Sequence, residues 1–120
     1  MWPVIETYPH PGHIEMFGLL SILKYKKGTI DEKRAGLARY MALLERLQDR
    51  APTLQVQTVP LLDTDVAGLR GAAVKQQEDL LDALFCAYTA LHLWHHREDE
   101  SKWRVVKEQH SPDFIIVPVP

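Results

Sequence analysis

Asp79 and Asp82 stand three residues apart in a stretch of good helix formers running from about Gln76 to His96. On a helix that spacing places both carboxylates on one face, where they can reach a common cation. A hard divalent ion such as Mg2+ or Mn2+ takes oxygen ligands, commonly one or two carboxylates with waters and a substrate phosphate completing the shell. Acidic residues near a helix start also complement the macrodipole with no ion bound. Spacing alone leaves both readings open. A further carboxylate, Glu6, lies on the β-branched and aromatic run Val4 to Tyr8, either as a ligand or as an exposed residue at a strand edge.

The basic residues concentrate at Lys24, Lys26 and Lys27, followed by Lys33 and Arg34, and flank Tyr25. Such a group can contact phosphate oxygens while the ring stacks on a base. With Asp31 and Glu32 among the cations and a negative total charge, a solvated loop and first helical turn account for it more simply. His10 and His13, and His95 with His96 beside Glu98 and Asp99, raise a transition-metal site. The spacing is unspecific: His10 in a Pro-His-Pro turn is not expected to share a helical face with His13, and His95 and His96 suit the negative end of a helix. Gly68-Leu69-Arg70-Gly71 lacks the lysine and spacing of a phosphate-cradling loop, and no nucleophile elbow or zinc finger is present.

With 120 residues, 46% hydrophobic and 25% charged, the chain reads as one domain over 1–120. It has no apolar run of the roughly 18 residues that a bilayer requires, and the start Met1-Trp2-Pro3-Val4-Ile5-Glu6 lacks the form of a signal peptide. No membrane association and a cytoplasmic location are expected. One cysteine, Cys86, excludes a disulfide within the chain and reads as a small core residue. A net charge of −2 argues against gripping nucleic acid by overall charge, so any such contact is local.

The elements that position these residues follow from local signals. Pro9-His10-Pro11-Gly12 predicts a rigid turn ending the first strand, with a short helix from His13 to Leu23 after it. Thr29 and Glu32 have the form of a capping box, and Leu37, Tyr40, Met41, Leu44 and Leu47 recur at helical spacing, predicting a helix over 30–49. Leu54 to Val59 alternates as a half-exposed strand does, and Leu61 to Gly71 reads as a loop. Leu80, Leu81, Leu84, Ala87, Tyr88, Leu91 and Trp94 predict the apolar stripe of the late helix. Lys102 to Glu108 and Phe114 to Val119 read as strands around a Gln109-His110-Ser111-Pro112-Asp113 turn, or as an extended tail over the core.

The string Glu78 to Leu91, with Ile5-Glu6-Thr7-Tyr8-Pro9-His10-Pro11 and Lys24-Tyr25-Lys26, resembles the predicted nucleases of domain-of-unknown-function family 429. The Asp-x-x-Asp-Ala form of Asp79 to Ala83 also resembles the closing acidic helix of RuvC-type resolvases. The resemblance implies an α/β, RNase H-like fold with a small mixed sheet flanked by helices. It further implies that Glu6, Asp79 and Asp82 meet at Mg2+ or Mn2+ to hydrolyse a phosphodiester, with nucleic acid as the partner. It covers only the later half of that domain, since the strand bearing the family's first aspartate does not precede Trp2. A partial domain is therefore expected, inactive alone and completed by a further aspartate. An exposed sheet edge would pair with another chain, so a homo-oligomer or partner chain is expected, and a non-catalytic scaffold that oligomerises through that edge is the alternative.

Overall fold

The computed structural model describes residues 7–107 and 114–120. Three α-helices and a two-stranded antiparallel sheet form a small α/β domain, linked by short 3-10 turns. Helix α1 spans Pro9–Phe17, α2 Ile30–Glu45 and α3 Ala72–His95; strands β1 and β2 span Trp103–Lys107 and Phe114–Pro118. The strands pair as expected, with Val105 opposite Ile116. Only β2 turns residues into the core, where Ile116 and Val117 are buried, whereas Val105 and Val106 on β1 are exposed. The sheet is antiparallel among the described residues rather than mixed, and the turn expected at 109–113 lies outside them.

The first helix corrects the expected Pro-His-Pro-Gly turn. Pro9 and Pro11 sit in its opening turn, where proline's fixed φ suits the helix and its missing N–H would have had no partner anyway. The helix ends at Phe17 rather than Leu23 because Gly18 adopts φ 63°, the left-handed cap that stops the ladder. Leu23 is nevertheless buried, while Leu20 is fully exposed.

Helix α2 starts where its capping box requires. Thr29 Oγ1 accepts from Glu32 N–H at 3.2 Å, and Glu32 Oε1 accepts from Thr29 N–H at 3.1 Å. The latter bond holds the Glu32 carboxyl below its usual range. We expect Thr29→Ala to lower unfolding free energy by about 1 kcal/mol in urea titrations, with Thr29→Ser close to wild type. Equal midpoints for Thr29→Ala and the parent protein would show that the box contributes nothing. Beyond Glu45 the helix tightens into a 3-10 turn, Arg46–Asp49, and the chain passes a cis Ala51–Pro52 peptide.

The expected strand at Leu54 to Val59 is instead irregular chain around the 3-10 turn Val56–Thr58. Its alternation does reflect burial, since Leu54, Val56 and Val59 pack against the core. No strand pairs with it among the described residues, so alternation alone does not produce a ladder. Arg34 fixes the following loop to α2 by donating from Nε and Nη2 to Leu69 O at 2.9 and 2.6 Å.

Helix α3 lies in a different rotational phase from the one hydropathy predicts. Val74, Gln77, Glu78, Leu81, Phe85, Tyr88, Thr89, His92 and Leu93 face inward, while Leu80, Leu91 and Trp94 are exposed. Four of those inward residues are polar or charged, and a stripe drawn through apolar residues necessarily misses them. The phase of α3 decides which of its acids meets the rest of the protein.

Candidate functional site

Glu78 and Asp82 are separated by one helical turn on the inward side of α3 and face the Lys24–Gly28 loop. Lys26 Nζ donates to Glu78 Oε1 at 3.0 Å and to Asp82 Oδ2 at 2.7 Å, bridging the two carboxylates. The other Asp82 oxygen, Oδ1, accepts from the Tyr25 hydroxyl at 2.6 Å and the Tyr40 hydroxyl at 3.0 Å. Tyr25 and Tyr40 are completely buried, whereas the Asp82 side chain retains 18% exposure. The carboxylate therefore sits at the mouth of a fixed polar shaft.

His13, also completely buried, lies behind Tyr40, with its Nε2 at 2.8 Å from the Tyr40 oxygen. Tyr40 gives its one proton to Asp82, so by hydrogen-bond logic His13 donates from Nε2 and leaves Nδ1 bare. Nδ1 has no hydrogen-bond partner, which a lone pair tolerates better than a buried N–H would. Burial, only partly opposed by Asp82, lowers the His13 pKa to about 4, so the imidazole is neutral at pH 7. Burial and the adjacent Asp82 carboxylate push both Tyr25 and Tyr40 well above the ordinary phenol range. Burial alone would depress Lys26, but its bonds to Asp82 and Glu78 outweigh that and raise it. The centre thus combines protonated phenols, a neutral imidazole and an ammonium around Asp82.

The packing that makes this possible begins at Gly36 on α2. A Cβ there would stand 2.7 Å from Tyr25 Cα and closer still to the Lys24 carbonyl oxygen. Only glycine lets the Lys24–Tyr25 backbone lie directly on α2, with the Tyr25 ring 4.7 Å from that of Tyr40.

The acids and bases singled out by spacing divide. Asp82 is at the centre, but Asp79 points outward, 61% exposed, and pairs with Lys75 at 3.1 Å. Glu78, which spacing passed over, takes the place beside Asp82. Glu6 lies outside the described residues. Of the three loop lysines, Lys26 reaches the carboxylates, and Lys24 and Lys27 are exposed. Tyr25, Tyr40 and His13 were visible in the sequence only as aromatic or unspecific residues, with no local signal tying them to Asp82.

His10 and His13 do share α1, with ring centroids 5.9 Å apart, because the Pro-His-Pro segment is helical. At the other end of α3, His92 Nε2–H donates to Lys102 O at 2.9 Å and Val119 O at 3.0 Å, tying the sheet to the helix. His96 Nε2–H donates to Ala51 O at 2.7 Å. Among the described residues, no three His, Cys, Asp or Glu side chains are grouped to hold a metal ion. Cys86 is half-buried, and burial together with Asp82 raises its thiol, which disfavours a nucleophilic thiolate. No helix among the described residues is long and apolar enough to cross a membrane.

Fold and site together define a small α/β domain whose polar centre is a carboxylate pair bridged by lysine and backed by two tyrosines and a histidine. The family model described as "Protein of unknown function (DUF429)" matches residues 2–104, and the chain belongs to that family. No curated protein and no solved structure matches the chain.

Proposed function

We propose that this chain carries the late-helix part of a divalent-cation-dependent phosphodiesterase, a nuclease of RNase H-like type, with Asp82 as its principal carboxylate. The observation that carries this reading is the convergence of Lys26, Tyr25 and Tyr40 on Asp82. A carboxylate held by two phenols on one oxygen, and left partly exposed, is oriented before any ligand arrives. The donor set fits Mg2+ or Mn2+ in kind: Glu78 and Asp82 already share a cation, the Lys26 ammonium, and such ions use one or two carboxylates with waters and phosphate. A bound ion would supply activation of water and stabilisation of the leaving oxygen. Tyr25 and Tyr40 hold Asp82 in place, and Lys26, once exchanged for the ion, is positioned to bind a phosphate oxygen. Glu6 remains a proposed further ligand, and Asp79 a peripheral one.

A second reading is a non-catalytic interaction module. Lys26 and Lys75 together already balance the charge of the carboxylate pair, and Val105 and Val106 are exposed on β1, which pairs only with β2 among the described residues and would offer its other edge to another chain.

Manganese calorimetry on the parent protein, Asp82→Asn, Glu78→Gln and Asp79→Asn separates the two. Asp82→Asn retains an oxygen for both tyrosines, so it should remain folded while losing saturable Mn2+ binding; Glu78→Gln should weaken binding and Asp79→Asn should change it least. A folded parent protein that binds no Mn2+ and sediments as an oligomer would support the interaction module and remove the phosphodiesterase proposal.

A further inference from the structure

Beside the Lys26 bridge opens a cleft of about 390 Å³ lined by Lys26, Ile30, Lys33, Gly71, Val74, Lys75 and Glu78. Lys26, Lys33 and Lys75 line it with Glu78, and at its border Lys26 also pairs with Asp82 and Lys75 with Asp79, which leaves Lys33 as the ammonium with no ion pair among the described residues. We infer that this cleft is a phosphate-binding groove for a single-stranded nucleic-acid backbone, with Lys33 and Lys75, rather than Lys24 and Lys27, as its anion contacts. The inference rests on the phosphodiesterase proposal and adds to it the place where substrate phosphate lies.

Proton counting supports an anionic occupant. A lysine ammonium has three donors. Lys75 gives two of them to Glu78 and Asp79, and Lys26 gives two to Glu78 and Asp82. Lys75 therefore keeps one donor for a ligand, the Lys26 ammonium, which also lies 5.0 Å from the centre of the Tyr25 ring, keeps at most one, and Lys33 makes no ion pair among the described residues. The carboxylates fix the Lys26 and Lys75 heads without using all their donors, so little side-chain freedom remains to be lost on binding. Ile30 and Val74 give the cleft apolar wall suited to sugar or base surface. Lys26 borders both the cleft and Asp82, so a phosphodiester lying in the groove passes next to the carboxylate pair. Lys24 and Lys27 are exposed on the same loop but do not line the cleft.

The test is fluorescence anisotropy of a labelled oligothymidylate in EDTA at low salt, where binding reads the cleft independently of any divalent ion. Lys33→Gln/Lys75→Gln and Lys24→Gln/Lys27→Gln remove the same charge from neighbouring surfaces. The first pair should raise Kd about tenfold, through loss of charge-assisted phosphate contacts, and the second by no more than about twofold. Parent binding should also weaken steeply as salt rises. Calorimetry with inorganic pyrophosphate distinguishes the source of phosphate. Pyrophosphate binding lost in Lys33→Gln/Lys75→Gln, without oligothymidylate binding, would keep the phosphate site but overturn the nucleic-acid assignment. Equal effects of the two double variants, or no binding of either probe by the parent protein, would overturn the groove itself. Loss of Mn2+ binding with groove binding intact would instead count against the phosphodiesterase proposal alone.

Discussion

Gly36→Ala is expected to lower unfolding free energy by about 3 kcal/mol, even though alanine is the better helix former. At an exposed position inside a helix the same change would stabilise by about 1 kcal/mol, so the sign of the effect is diagnostic. The added methyl would meet the backbone of Lys24 and Tyr25, not the end of a pliant side chain. Relief requires moving the loop away from α2, and that loop carries Tyr25 and Lys26 to Asp82. Denaturant titration should therefore show destabilisation, with loss of Mn2+ binding under conditions where the variant remains folded. A stabilised Gly36→Ala protein would mean that the loop does not rest on α2 in solution.

Acid is expected to destabilise the protein through His13 by up to about 3 kcal/mol. The imidazole is completely buried among Phe17, Tyr25, Tyr40 and Phe85, and burial lowers its pKa from 6.5 to about 4. Below pH 6.5 the unfolded chain takes up a proton that the folded one refuses, so unfolding is favoured. The contribution is fully present above about pH 6.5, declines as pH falls through the window down to 4, and is gone below it. His92, also lowered by burial, acts in the same direction. His13→Leu removes the titrating group, so its loss of stability between pH 7 and pH 4 should be smaller than that of the parent by about 3 kcal/mol. Parallel stability profiles for the two proteins would show that His13 is not held neutral by the fold.

The functional consequence of this core is mechanical. His13 supports Tyr40, Tyr40 and Tyr25 support Asp82, and Gly36 lets Tyr25 approach. Substitutions at the back of the shaft should therefore change the behaviour of the carboxylate at its mouth without touching a ligand.

Helix α2 and the two strands were legible in the sequence from local signals, although the local alternation of Leu54 to Val59 was not a strand. The capping box at Thr29 and Glu32 set the start of α2, apolar recurrence carried it onward, and two β-branched runs gave β1 and β2. The acidic helix was legible in the same way, and its spacing singled out Asp82 together with Asp79. The proline-rich start of α1 was misread because proline, disruptive inside a helix, is favourable in its opening turn. Only tertiary structure decided that Glu78, not Asp79, stands beside Asp82, because the phase of α3 is set by what packs on it. The bonds that fix Asp82 span 57 residues to Tyr25, 56 to Lys26 and 42 to Tyr40. Periodicity and capping act over about one helical turn and carry no information about such separations; chain packing alone turns two buried tyrosines and a loop lysine into the surroundings of one carboxylate.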